Sequence, residues 1–216
     1  MARRNQPEDH GVRAVIDGQS LSLFIDYDRA RLAHLSTDGK IEYFRRRFDF
    51  LVLEPLTGLL EEQLMPAHRH GKESSVLLIW ANGILCAIEA LGHFLTPAMA
   101  SNSQAFRTFV TAFMDSAWEQ RAKHPPMGVD TYTRWLWDSF RNGLTHGAYV
   151  KNGGFERLGD RLFVETDEGL LVDPWALDVD FRNANRKMHN ALSMPENYFR
   201  STFIERFDRT YVLGEA

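Results

Sequence analysis

The sequence predicts a mainly α-helical fold: an antiparallel four-helix bundle with an N-terminal β-hairpin, a small β-meander and two short C-terminal helices. Three observations carry that prediction. Apolar residues recur at helical spacing in four long segments joined by short connections. Asp-Gly pairs sit between apolar runs near the N-terminus. Short runs separated by glycine turns lie between the fourth long helix and the C-terminal ones. With 216 residues, 44% of them hydrophobic, the chain is long enough for one sizeable core. The organisation read from these signals is a β or irregular extension over 1–40, a helical bundle over 41–150, and a meander with C-terminal helices over 151–216, all in one globular domain.

Asp17-Gly18, between VRAVI and QSLSLFI, is the clearer hairpin signal. Asp38-Gly39, between RLAHLST and KIEYF, reads either as a second hairpin or as a loop leading into a helix. The first long helix spans about 43–64, with Phe44, Phe48, Leu51 and Val52 on one stripe and Leu56, Leu59, Leu60 and Leu64 on another. Pro55 is expected to kink or split it, because proline removes a backbone donor and clashes with the preceding turn. Pro66 and HRHGKESS end it. His68 and His70 are two apart, a poor spacing for two ligands on a helix, and read as loop residues.

The second helix spans about 75–95 and is closed by Thr96-Pro97. Its run VLLIWANGILCAIEALGHFL is long enough to raise a membrane question, but it contains Asn82, Glu89 and His93. A carboxylate near the middle of a lipid-spanning helix is costly, so the central helix of a soluble bundle is the reading adopted. The third helix starts at a Ser cap near Ser103, places Phe106, Phe109, Val110, Phe113 and Ala117 on one face, and stops at His124-Pro125-Pro126. The fourth starts behind Asp130 as N-cap, with Tyr132, Trp135, Leu136, Phe140 and Leu144 as its apolar face and Gly147 as C′ residue. The meander follows as GFERL, RLFVET and LLVD, with turns at Gly159-Asp160 and Asp167-Glu168-Gly169. Pro174 interrupts, and two shorter helices follow over about 179–192 and 196–208.

The net charge is −4 and the pI about 6.1, so no global basic field recruits nucleic acid. Contact with RNA or DNA must come from a local patch: Arg45-Arg46-Arg47, Arg182 with Arg186-Lys187, or the loop around Lys151, each of which also reads as a solvated face. The single cysteine, Cys86, cannot form an internal disulfide and reads as an inert thiol in a reducing compartment. The N-terminus MARRNQPEDHG lacks the apolar core of a signal peptide, which points to a cytoplasmic protein. No Gly-rich phosphate loop follows a strand and no Cys-based zinc spacing occurs; Asp173, Asp178 and Asp180 are explained by turn and N-cap duty.

An Arg stands five to seven positions before a His at four places: Arg3 or Arg4 with His10, Arg29 with His34, Arg141 with His146, and Arg182 with His189. Spacing alone therefore carries little. The last two both read Phe-Arg-Asn, and Arg141-Asn142…His146 ends the fourth long helix. There Arg134, Asp138, Arg141 and Thr145 form one polar stripe, with Arg134–Asp138 and Asp138–Arg141 expected as ion pairs. Asn142 and His146 lie on its border with the apolar face. Two readings fit. The stripe is a charged last turn with a His suited to the helix dipole. Equally, His146 is a proton-transfer group at the lip of a cleft and Arg141 a phosphate-binding guanidinium. Glu89, in the most apolar helix, needs a partner, either an Arg in a structural pair or Arg141 as the group it orients. Trp135 and Trp137 read as packing rather than as base-stacking platforms.

Arg-Asn-x-x-x-His followed by Gly, at the end of the fourth helix of such a bundle, resembles the HEPN superfamily over roughly 43–150. Many HEPN proteins are metal-independent ribonucleases of toxin–antitoxin, abortive-infection and CRISPR systems; others keep the bundle and have no known cleavage activity. The resemblance implies Arg141 and His146 as the active pair, supported by Asn142, Thr145, Glu89 and Tyr149. It also implies no cofactor and no metal, RNA as substrate, a homodimer that sets two Arg–His pairs across one cleft, and an antitoxin or regulatory partner. One HEPN toxin branch carries Tyr two residues beyond the His; here Ala148 holds that place and Tyr149 follows it. On this reading Arg141, Asn142 and His146 line one accessible cleft, and Arg182 and His189 do not. The rival reading is a non-catalytic HEPN-like module that binds a partner protein or nucleotide.

Overall fold

The computed structural model describes residues 12–24, 28–64, 74–147, 150, 152–159 and 161–215, without the side chains of 63–64, 74–75 and 145–147. The chain opens with a hairpin of β1 (Arg13–Ile16) and β2 (Gln19–Ser22), turned at Asp17-Gly18 as predicted. A short α1 (Arg29–Ala33) leads to α2 (Thr37–Phe48). Asp38-Gly39 is therefore not a second hairpin; it lies in the first turn of α2. The Ser36 side chain caps that turn by accepting from the Gly39 N–H at 2.9 Å, which satisfies a donor that would otherwise be orphaned. Asp17 ties the hairpin to the same place by accepting the Ser36 N–H at 2.7 Å.

From α2 the chain stays helical to Leu64, through a π turn (Asp49–Leu53), α3 (Glu54–Gly58) and a second π turn (Leu59–Leu64). Pro55 does not end the helix. It falls in the first turn of α3, directly after the π turn, where local i→i+5 bonding takes up the disruption that proline causes.

The central helix is α4 (Ser74–Phe94), which contacts α5 (Asn102–Phe113), α8 (Pro174–Leu192), α9 (Tyr198–Phe207) and the segment around residue 140. Trp80, Ala81, Ile84, Leu85, Ile88 and Leu91 of α4 are fully buried in the main core. It is the one described helix long and apolar enough to cross a membrane, and that stretch is mostly buried inside the fold. Gly92 sets the approach of α4 to α5: a Cβ there would stand 1.9 Å from the Ala105 carbonyl oxygen. Helix α5 is capped by Ser101 rather than Ser103 and stops at Phe113, short of the predicted end. Asp115 starts a 3₁₀ turn (Ser116–Glu119) by accepting the Ala117 N–H at 2.8 Å, so Ala117 leaves the predicted face.

The fourth predicted helix is three pieces in one run: α6 (Tyr132–Trp135), a π turn (Leu136–Arg141) and α7 (Asn142–Gly147). Its N-cap is Thr131, one residue beyond the predicted Asp130.

The predicted meander is a mixed three-stranded sheet. Strand β3 (Gly153–Phe155) pairs parallel with β5 (Gly169–Val172), and β4 (Phe163–Thr166) pairs antiparallel with β5, giving the order β3-β5-β4. The reason is local. Gly153 lies so close to β5 and to the end of the Phe140 ring that a Cβ would stand 2.3 Å from the Leu170 carbonyl oxygen. The Leu170 N–H donates back to the Asn152 carbonyl at 3.1 Å, and the glycine-rich β3 thereby takes the edge of β5 that β4 leaves free. Pro174 does not interrupt; it opens α8, where a missing N–H costs nothing. Asp173 caps α8 through the N–H groups of Trp175 and Ala176. Helix α8 is thus a long helix, not a short one. Helix α9 runs into a closing π turn (Asp208–Leu213), and Phe199, Phe203 and Phe207 are buried on one face as predicted.

Candidate functional site

Arg141 ends a π turn, and that turn decides where its side chain goes. An i→i+5 turn rotates less per residue than an α turn, so Arg141 leaves the exposed stripe that an ideal helix gives it. Arg134 and Asp138 do pair, at 3.6 Å. The expected Asp138–Arg141 pair does not form. Arg141 turns inward instead, and its Nη2 meets Glu89 Oε2 at 2.5 Å, with only 12% and 10% of the two side chains exposed. The contact is an ion pair rather than an aligned fork. Arg141 Nε is buried with no hydrogen-bond partner, and Glu89 Oε2 completes no well-angled hydrogen bond. The guanidinium lies over the Trp137 ring, 5.1 Å from its centroid.

Glu89 also faces a second group. His93, one helical turn on, approaches Glu89 Oε1 to 3.9 Å, and its Nε2 is 3.2 Å from Asn102 Oδ1 on α5. The Arg206 side chain holds the same turn by donating to the His93 carbonyl at 2.9 Å. In the sequence His93 stands out only as a polar residue in an apolar helix. The Glu89-x-x-x-His93 spacing, which puts both on one face of α4, is the signal that could have found it.

Trp137 joins this cluster to a cleft of about 400 Å³. Ser103, Gln104 and Arg107 of α5 form one wall; Thr131, Arg134 and Asp138 lie opposite. Arg107 is exposed and makes no ion pair with a described residue. Trp137 is thus both packing, against Phe106 at 5.3 Å, and a wall of the cleft. Trp135 is core, its Nε1–H donating to the Asn152 carbonyl at 3.1 Å. Asn142 and His146 lie on α7, with Thr145 beside them. The side chains of Thr145 and His146, and the whole of Tyr149, fall outside the described residues, as do His68, His70 and Lys151.

The other Phe-Arg-Asn segment corrects the expectation that Arg182 and His189 share no cavity. Both line one of about 700 Å³ between α8 and the 37–53 run. The register of α8 explains it: Phe181 and Met188 turn fully into the core, which leaves Arg182, Asn185 and His189 along one adjoining strip. Arg182 pairs with Asp178 at 2.7 Å. His189 packs near the Phe44 ring, and burial pushes its imidazole down to about 4, so it is neutral at pH 7. The three aspartates do structural work. Asp173 caps α8 and binds Arg157 at 3.0 Å, and Asp180 accepts the Trp118 indole N–H at 2.7 Å.

Comparison with protein-family models, with curated proteins and with solved structures gave no match to this chain.

Proposed function

We propose that the chain is a HEPN-like, metal-independent endoribonuclease with a four-helix core, acting in the cytoplasm as a homodimer and held in check by an antitoxin or regulatory partner. One observation carries the reading. Arg141 of the Arg-Asn-x-x-x-His segment is fixed by a buried carboxylate and by the Trp137 face, and Trp137 lines a cleft whose Arg107 makes no ion pair with a described residue. A guanidinium held this way needs little reorganisation to stabilise charge on a phosphate. Arg107 and the Trp137 ring suit the backbone and the bases of a single strand.

In the proposed reaction the ribose 2′-hydroxyl attacks the adjacent phosphorus. A proton passes from that hydroxyl to His146, the bond to the 5′-oxygen breaks, and a 2′,3′-cyclic phosphate and a 5′-hydroxyl result. A second His must protonate the leaving oxygen. The partner copy's pair supplies it in a dimer formed through α5 and the 132–147 run, and His93 is a further acid–base group beside Glu89 in the same chain. His146→Ala should remove activity by about 10²–10⁴-fold. Arg141→Lys should be as severe, since an ammonium lacks the guanidinium fork. The assay is cleavage of single-stranded RNAs in excess chelator, with mass analysis of the ends. Equal cleavage of DNA, loss of cleavage in chelator, or full activity in His146→Ala would refute the mechanism.

The depth of the Glu89–Arg141 pair favours a second reading, in which the pair only supports a binding module. In that case no RNA is cut, and Arg141→Lys changes stability alone.

A further inference from the structure

We infer that His93 makes the Arg141 site a proton-coupled anion site: a phosphodiester binds there together with one proton, which His93 takes from solvent. The site is the one proposed above for RNA, and the coupling rests on that reading of Arg141 as a phosphate-binding group.

Charge is the reason. The cleft is lined by Arg107 and Arg134 against Asp130 and Asp138, so its lining is neutral as a whole. Beside it Glu89 meets Arg141, and that pair is neutral too. The chain itself carries −4. A phosphodiester is an anion at every working pH and finds no net attraction in such a site. Among the described residues of the cluster, His93 is the group that gains positive charge between about pH 5 and 8.

Its place fits that role. His93 and Arg141 approach different oxygens of one carboxylate, Nε2 standing 3.9 Å from Glu89 Oε1 and the guanidinium at Oε2. The two groups facing Nε2, Glu89 Oε1 and Asn102 Oδ1 at 3.2 Å, only accept, so Nε2 carries the proton of the neutral ring. The lone pair is then on Nδ1, which bonds to no described residue, and the side chain is 28% exposed. In the neutral ring Nδ1 is an acceptor and offers a phosphate oxygen nothing. Once protonated it is a donor, and the Arg141–Glu89–His93 cluster carries a net positive charge. No bond of the RNA changes in this step.

The cluster adjoins the cleft at both ends. Arg141 lies over Trp137, and Asn102 immediately precedes Ser103; Trp137 and Ser103 both line the cleft. Arg206 of α9 is the remaining charged group that contacts His93 among the described residues. It is engaged at the His93 carbonyl, at the negative end of the α4 dipole.

The test is isothermal titration with a 2′-O-methyl adenosine trinucleotide that lacks terminal phosphates. It cannot be cleaved and takes up no proton of its own near neutrality. The reference protein is the full chain carrying His146→Ala, which removes the other imidazole of the proposed site. Titrations from about pH 6 to 8.5, in buffers of different ionisation enthalpy, count the protons taken up. Binding should weaken by up to about tenfold per pH unit above pH 7, the slope of one linked proton. Adding His93→Gln should abolish the uptake and leave binding at pH 6 about as weak as the reference at 8.5. Adding Glu89→Gln instead removes the cancelling charge; binding at pH 8 should be at least about threefold tighter and depend less on pH. Affinity independent of pH in the reference, uptake unchanged by His93→Gln, or no saturable binding up to ~10 mM overturns the proposal. Cleavage by the native chain is scored separately. RNA cut without proton-coupled binding ends the role of His93 alone, and proton-coupled binding without cutting ends the ribonuclease reading alone.

Discussion

Glu89 and Arg141 show how much one buried pair decides. Removing either partner strands the other charge in the core, which costs about 3–5 kcal/mol, whereas replacing both with apolar groups is often neutral. Glu89→Leu should therefore lower the urea unfolding free energy by about that amount, and Glu89→Leu with Arg141→Met should recover most of the loss. Glu89→Gln separates stability from function. It keeps an acceptor for Arg141 without the charge that fixes the guanidinium, so the proposed RNA cleavage should fall in kcat more than in KM while the fold persists. The need of Glu89 for a partner was legible in the sequence, because a carboxylate in so apolar a helix has no other refuge. Which arginine it takes was not settled: an ideal α-helix gives Arg141 to Asp138, and the π turn gives it to Glu89.

At the scale of elements, helix was read correctly over 43–64, 75–95 and 132–147 because apolar residues such as Phe44, Phe48, Ile84, Ile88, Trp135 and Phe140 face the core, although π turns interrupt the first and last runs and leave Leu51 of the predicted stripe exposed. The misreadings fall where a side chain or a glycine overrides local propensity. Asp-Gly, a strong turn signal, lies in a helix at Asp38-Gly39 because Ser36 caps it and Asp17 anchors Ser36. Pro174 reads as a break until Asp173 is seen to cap a helix that starts on the proline. Parallel pairing of β3 with β5 is not coded by alternation; it depends on a missing side chain at Gly153. That dependence is open to test. Gly153→Ala puts a methyl against the Leu170 carbonyl and the Phe140 ring, neither of which can retreat without moving the sheet or the π turn. A loss of about 1–3 kcal/mol is expected in chemical denaturation, as for other overpacked positions. Gly154→Ala, whose Cβ would meet only Leu171 at 3.8 Å, should be far milder.

For the whole molecule, assembly and acid stability are the informative observables. The proposed dimer should appear by light scattering at micromolar concentration, and a strict monomer would count heavily against it. The pH dependence can be worked out with its sign. His189 titrates near 6.5 when unfolded and at about 4 in the fold, where burial disfavours its charged form. Below 6.5 the unfolded chain takes a proton that the native state refuses, so stability falls as pH drops from 6.5 to about 4. It is fully present above that window. The total is on the order of 3 kcal/mol, from ~1.4 kcal/mol per pKa unit. The groups around His189 act lower. The Arg45 hydrogen bond holds Glu42 down to about 2, so its contribution is lost only below 4.5. Asp49, pushed up by burial, protonates earlier in the fold than in the unfolded chain and works in the opposite direction on the acid side. Asp38, Arg182 and Arg186 complete the set of charged groups on the cavity wall. The upper part of the window, about 5–6.5, therefore reports His189 most cleanly. His189→Phe, which sets a second ring near Phe44 in place of two unpaired nitrogens, should leave stability at pH 7 equal or higher and flatten the slope between 6.5 and 5. The decline below 4.5 should survive. Urea unfolding of both proteins at half-unit pH steps measures this, and a variant whose slope above pH 5 matches the native protein's would show that the buried imidazole does not set the acid limit of the fold.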